Sequence, residues 1–299
     1  MDKALFDDAV ELFEKGLLTE AEQKFRAILD DNKKNYEALY YLGYIHFKRD
    51  EYDEAIDYLN KAVKVNETDA RAYEVLGQAL GFKARQSGAV KGAMLLPKVK
   101  KTFEKALALN GDSLIAREGL YILYLFAPSV AGGDETKAKQ LVDEIKNLNT
   151  ARGHLAEAIY YSKLNKIDEA GRAFEQAAEV GKDDPEIQQK AGMYFLESNN
   201  TEKAGKLFER FMELQPDNPA AYASKGDYLA AVGQNEEAVK MYDMALEKNK
   251  DFFPARFKRA QVFQKMGETS KAKEDYQFIV SNFAKTPFAA RAKKALANL

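Results

Sequence analysis

YEALYYLGYIHFKRDEYDEAIDYL, running from Tyr36 to Leu59, holds the pattern that decides the fold. Apolar residues at helical spacing surround Leu42-Gly43, the polar turn Lys48-Arg49-Asp50-Glu51 follows, and a second helical run opens on Ala55 with Leu59 four residues later. The same Ala stands 34 residues earlier at Ala21 and returns in 34-residue steps at Ala170, Ala204, Ala238 and Ala272. Four residues after each stands a bulky apolar side chain: Phe25, Phe174, Phe208, Tyr242 and Tyr276. Gly192 and Gly226 precede their Ala by twelve residues, as Gly43 precedes Ala55. Small residues suit the closest approach of two antiparallel helices. Gln215-Pro216-Asp217-Asn218-Pro219 and Gly181-Lys182-Asp183-Asp184-Pro185 close the units, with Asp or Asn capping the next helix and Pro starting it. The chain therefore reads as one helix pair copied along its length, with no predicted strands.

Two steps break the period. The third Ala slot falls at Val99, 44 residues after Ala55, and the next at Ala138, 39 residues further on. The excess lies in 81–98 and in 127–133, and must leave the stack as loops or lengthened helices on one edge. The first insertion is basic: Lys83, Arg85, Lys91 and Lys98, continued by Lys100, Lys101 and Lys105, stand against Glu104 alone. A solvated charged face is the plain reading, and docking of an acidic partner the functional one. A second basic run, Lys285, Arg291, Lys293 and Lys294, closes the chain.

Composition narrows the function. The 299 residues are 31% charged and 46% hydrophobic, as in a folded helical protein, and the net charge of −2 gives no general attraction to nucleic acid or anionic lipid. No Cys is present, which excludes thiol chemistry, disulfides and Cys-ligated zinc. His46 and His154 are three repeats apart and read as packing residues, no Gly-rich phosphate loop follows a strand, and no carboxylate pair is singled out. The expectation is a non-enzyme without cofactor or metal. Met1–Phe6 opens directly into an amphipathic helix with no basic start, apolar core or cleavage site, and no apolar run is long enough to span a bilayer. That places the chain as written in the cytoplasm, with the periplasm the alternative if a leader was removed.

A 34-residue helix pair with Leu42-Gly43 in its first helix and Ala55 then Leu59 in its second resembles the tetratricopeptide repeat. The resemblance spans nearly the whole chain, although Leu39, Tyr73, His154 or Tyr222 fill the family's Trp slot. Leu96-Pro97, Phe103-Glu104-Lys105-Ala106 and Ala127-Pro128 through Gly132-Gly133-Asp134 are similar to a bacterial, often exported subgroup with lengthened central repeats. The resemblance implies an all-α, right-handed superhelical solenoid forming a single domain over 1–299. Its repeats fall at 2–35, 36–69, 70–113, 114–150, 151–184, 185–218, 219–252 and 253–286, with a C-terminal capping helix at 287–299 in which Phe288, Ala292 and Leu296 cover the last repeat.

It also implies a protein-interaction scaffold whose first helices line a concave groove through the second, fifth, ninth and twelfth positions of each repeat. Those slots give Phe6, Val10, Phe13, Tyr40, Tyr44, Phe47, Ile122, Leu125, Leu155 and Ile159 as candidate contacts for a peptide or helix of a partner protein. Phe6 and Val10 stand where adaptors of this family that grip a C-terminal carboxylate carry Lys and Asn, so that mode is not expected at this end. Self-assembly into a homo-oligomer and carriage of a small apolar ligand are the alternatives.

Overall fold

The computed structural model describes residues 3–284 and 286–299; the repeat start at Asp2 and the basic residue Lys285 lie outside them. The described residues form helices and no strand, and the chain divides into two compact units, 1–149 and 150–299. The first unit holds four pairs: α1 (Lys3–Glu14) with α2 (Leu18–Asp31), α3 (Tyr36–Lys48) with α4 (Tyr52–Val65), α5 (Ala70–Gln86) with α6 (Ala89–Leu109), and α7 (Leu114–Phe126) with α8 (Glu135–Leu148). The second holds α9 (Thr150–Lys163) with α10 (Ile167–Val180), α11 (Pro185–Glu197) with α12 (Thr201–Leu214), α13 (Pro219–Ala231) with α14 (Asn235–Lys248), and α15 (Phe253–Lys265) with α16 (Thr269–Asn282), closed by α17 (Pro287–Leu296).

The 34-residue register has a steric cause. Every periodic Ala, from Ala21 to Ala272, is the fourth residue of a second helix and is fully buried. The bulky residue one turn later lies over the small residue of the first helix. A Cβ on Gly43 would stand 2.5 Å from Leu59, on Gly192 2.6 Å from Phe208, and on Gly226 2.7 Å from Tyr242. Ala9, Ala158 and Ala260 fill the same slot in other pairs, again fully buried. The lengthened third pair keeps the contact, because Val99 and Phe103 take the Ala and bulky places and a Cβ on Gly77 would come 2.5 Å from the Phe103 ring. That ring is wedged on its other side too, 2.3 Å from the Cβ position of Gly119 in α7.

Helix boundaries follow local chemistry. Asn35, Ser113 and Asp184 each accept a hydrogen bond from the first-turn N–H groups of α3, α7 and α11, and Pro185 and Pro219 open α11 and α13. Between the helices of a pair one residue adopts a left-handed conformation, and it too recurs every 34 residues: Gly16 and Asp50, then Asn165, Asn199, Gly233 and Gly267. Gly, Asn and Asp tolerate a positive φ better than other residues.

The first insertion emerges as helix. α5 has 17 residues and α6 has 21, joined through Ser87 and a left-handed Gly88, and Gly92 backs so closely onto the Ala84 carbonyl that a Cβ would lie 2.3 Å from it. The second is a 3-10 turn, Ser129–Ala131, followed by a left-handed Gly132. Asp134 N–H then donates to the Tyr124 carbonyl at 2.9 Å, folding the connection back over the last turn of α7.

In the second unit Asp275, only 2% exposed, accepts hydrogen bonds from Arg259 Nε at 2.8 Å and Nη2 at 2.7 Å and from Arg256 Nη1 at 3.2 Å. Arg259 also pairs with Asp243, and the Arg256 guanidinium lies 3.7 Å from the Phe278 ring centre. Burial works against the Arg259 charge, and its two carboxylate partners outweigh burial and raise its pKa above the ordinary value.

α17 closes this unit by setting Phe288 edge-on against Phe253 and Phe257, at 5.2 and 5.3 Å, while Ala292 is fully buried and Leu296 packs on the same cluster. Deleting 287–299 strips that cover from the last pair and is expected to lower stability by about 3 kcal/mol. Urea denaturation followed by circular dichroism checks this, and an unchanged midpoint would show the segment to be a loose tail.

Candidate protein-binding surface

In the first unit the first helices present a face rich in rings. Phe13 and Phe6 set their edges on Tyr41 at 5.2 and 6.1 Å, and Tyr40 meets Tyr41 at 5.2 Å. Tyr44 contacts Phe13 at 5.3 Å, and Phe47 contacts Phe82 at 5.7 Å. Cations stand over the exposed sides, with Arg71 4.9 Å from the Tyr40 centroid, Lys48 5.1 Å from Tyr44 and Arg85 4.7 Å from Phe82. Burial is the main reason the Tyr40 hydroxyl is pushed above its ordinary range.

The rings therefore cover one another. Phe6, Val10 and Phe13 pack half-buried against the core of the first unit, Tyr44 and Phe47 are half-buried, and Tyr40 is 8% exposed. Three of the ten expected contact residues have too little free surface to serve as contacts. Tyr40 is covered by its neighbours, Leu125 is 7% exposed, and Leu155 is covered by the second-unit core around Phe174 and Ile187. Ile159 packs half-buried on that same core.

Ile122 is open, at 43% exposure, and it has companions. Ile115 and Phe126 lie seven residues before and four after it, which puts all three on one face of α7, with Phe126 51% exposed. On α5, which packs against α7, a Cβ at Gly81 would meet nothing within 4 Å, so the surface there is open. Phe126 lies one residue beyond the twelfth slot of its repeat, where counting slots does not look. Applying the same count to the third repeat does give Arg71 and Gly81.

Second-slot residues of adjacent first helices pair within each unit, through Arg71 in the first and Arg152 in the second. Arg71 bonds Glu37 at 2.7 Å and Asp69 at 2.6 Å, and Arg152 bonds Glu186 at 2.7 Å. Burial would raise the Glu186 carboxyl, but Lys190 and Arg152 outweigh it and hold it below the ordinary carboxylate range. Of the four basic residues of the first insertion, Lys83 pairs with Asp53 at 2.6 Å and Arg85 covers Phe82, whereas Lys91 and Lys98 stand exposed on α6. His46 is buried, stacked on Tyr58 at 5.4 Å with Nδ1 2.5 Å from Glu51, a packing role. His154 lies 3.6 Å from Glu157.

Tetratricopeptide repeat signatures match residues 6–74 and 189–252, a further signature of such repeats covers 254–286, and the C-terminal tetratricopeptide repeats of YpiA-like proteins match 153–218. The chain is a tetratricopeptide repeat protein. The matches stop at residue 74 and resume at 153, so all of the lengthened pair after the first turn of α5 lies in the stretch between them. Among solved structures, a tetratricopeptide repeat protein from Parabacteroides merdae is similar over 87% of this chain and 98% of its own, with a TM-score of 0.60 and 17% identity. Yeast Tom70 is similar over 93% of this chain and 59% of its own, with a TM-score of 0.65 and 16% identity. Both likenesses are of fold. No curated protein matches this tetratricopeptide chain by sequence. No described helix is long and apolar enough to cross a membrane, and the described residues hold no His, Cys, Asp or Glu cluster able to bind a metal.

Proposed function

We propose that this tetratricopeptide repeat protein is an interaction scaffold that holds a helical or extended segment of a partner protein against the first-helix face of its first unit. The carrying observation is the exposed apolar stripe of Ile115, Ile122 and Phe126 on α7. Contiguous exposed apolar surface marks an interaction site. Tyr44, Phe47 and Lys48 extend the face and offer ring edges and a cation at its far end. Half-buried rings that support one another form a rigid floor, so little side-chain freedom is lost when a partner settles.

A photo-crosslinking amino acid at position 122 or 126 is expected to trap a protein in extracts of the source organism. The same group at Ile167 or Val180, exposed on α10 in the second unit, serves as the control. Once the partner is identified, Ile122→Asp with Phe126→Asp should weaken it by roughly 2–4 kcal/mol with helicity unchanged. Equal trapping at the control positions would refute this site. Adducts made only with further copies of the chain would establish self-assembly instead.

A further inference from the structure

We propose that the solvent face of α6 is a second docking surface, built for an acidic amphipathic helix of a partner protein and independent of the α7 stripe. α6 is 21 residues long, whereas the second helix of every other pair has 14. Its inner side, including Gly92, Val99, Phe103 and Ala106, is buried. Val90, Met94, Lys98, Lys101 and Lys105 follow at steps of four, four, three and four, so they form a single line on the opposite side. The first two are 78% and 76% exposed, although nothing in the fold requires apolar residues there. The helix carries five lysines and one glutamate, and that glutamate, Glu104, lies 3.8 Å from Lys100.

The occupant follows from chemistry and width. Lysines along the line call for carboxylates, and Val90 with Met94 call for apolar side chains one turn apart, the pattern on one face of an acidic amphipathic helix. The line is about 22 Å long and one helix wide, so it fits another helix along its length. A phosphate backbone offers no counterpart to Val90 and Met94. A plane of anionic lipid would also meet exposed Asp53 and Asp57 of α4 and Asp143 and Glu144 of α8, on the second helices of the adjacent pairs. A helix about 10 Å wide lies on α6 alone.

The probe is a labelled helical peptide of about 18 residues with Leu one turn apart on one face and Glu beside them, compared with an isomer of scrambled order. Fluorescence anisotropy with the full chain is expected to show at least tenfold tighter binding of the ordered peptide. Lys98→Glu with Lys101→Glu, and separately Val90→Ser with Met94→Ser, should each weaken it at least tenfold, and added salt should weaken it further. These side chains are exposed, and circular dichroism verifies folding of both variants. Equal binding of peptide and isomer, or no change in either variant, overturns the proposal. So does pelleting with phosphatidylserine vesicles that is lost in the same variants, which makes a membrane the occupant. A dimer in sedimentation velocity that Val90→Ser with Met94→Ser dissolves overturns it in favour of a second copy.

Discussion

Asp275→Ala is expected to destabilise the second unit by about 3–5 kcal/mol, a large effect for one residue that touches no ligand. Asp275 lies between two guanidinium groups, and removing it leaves Arg256 and Arg259 crowded together with Asp243 as the remaining carboxylate. Neither cation escapes easily, since each has a largely buried side chain and Arg256 is held against Phe278. Losing one partner of a buried pair costs more than the pair itself contributes, because the other charge keeps its desolvation penalty. Asp275→Asn retains acceptor geometry without charge and should fall between wild type and Asp275→Ala. Urea denaturation followed by circular dichroism measures both, and a loss under about 1 kcal/mol for the Ala variant would mean that water reaches the arginines and replaces the carboxylate.

Phe103→Ala is the comparable test in the first unit, with an expected cost of about 3–5 kcal/mol from lost burial and the cavity left behind. The ring is wedged between Gly77 and Gly119, so the loss opens space on both of its sides. That geometry predicts a specific non-additivity. Gly77→Ala alone should destabilise by overpacking the ring, yet be neutral or stabilising once Phe103 is Ala, since the new methyl then enters empty space and Ala is the better helix former. Simple addition of the two effects would refute the wedge.

Much of the fold was legible because its signal is local and repeated. Ala55 with Leu59 and Gly43 states a small-to-large contact within one pair, and 34-residue copies made that contact visible without tertiary information. The form of the first insertion was not legible. Loops and lengthened helices were equally open from the sequence; the chain is helical on both sides of Gly88, Gly92 lets α6 approach the Ala84 carbonyl, and Pro97 stands exposed inside α6. The candidate surface was half legible for a related reason. Slot counting names residues expected to share a face, Tyr44 and Ile122 among them, but exposure depends on what neighbouring chain covers them. The burial of Leu125 and the rings packing around Tyr40 are features that no slot encodes. The Asp275 cluster was equally hidden, since its partners are 16 and 19 residues away among many charged side chains.

The left-handed turn residue at 165, 199, 233 and 267 makes the second unit modular in evolution. Cutting at any two of the turns at 165, 199 and 233 and rejoining removes whole 34-residue blocks while returning the same backbone geometry, the same buried Ala and a small-to-large contact, and it leaves Asp243, Arg256, Arg259 and Asp275 together. Its length can therefore change by duplication or loss of a 34-residue block without new compensating substitutions. The stretch carrying α5 to α8 has no such freedom: its turns fall out of that register, and Phe103 is locked to glycines in two successive pairs. A lineage that lengthens or shortens this protein is expected to do so in the second unit and to keep the lengthened pair as a single copy.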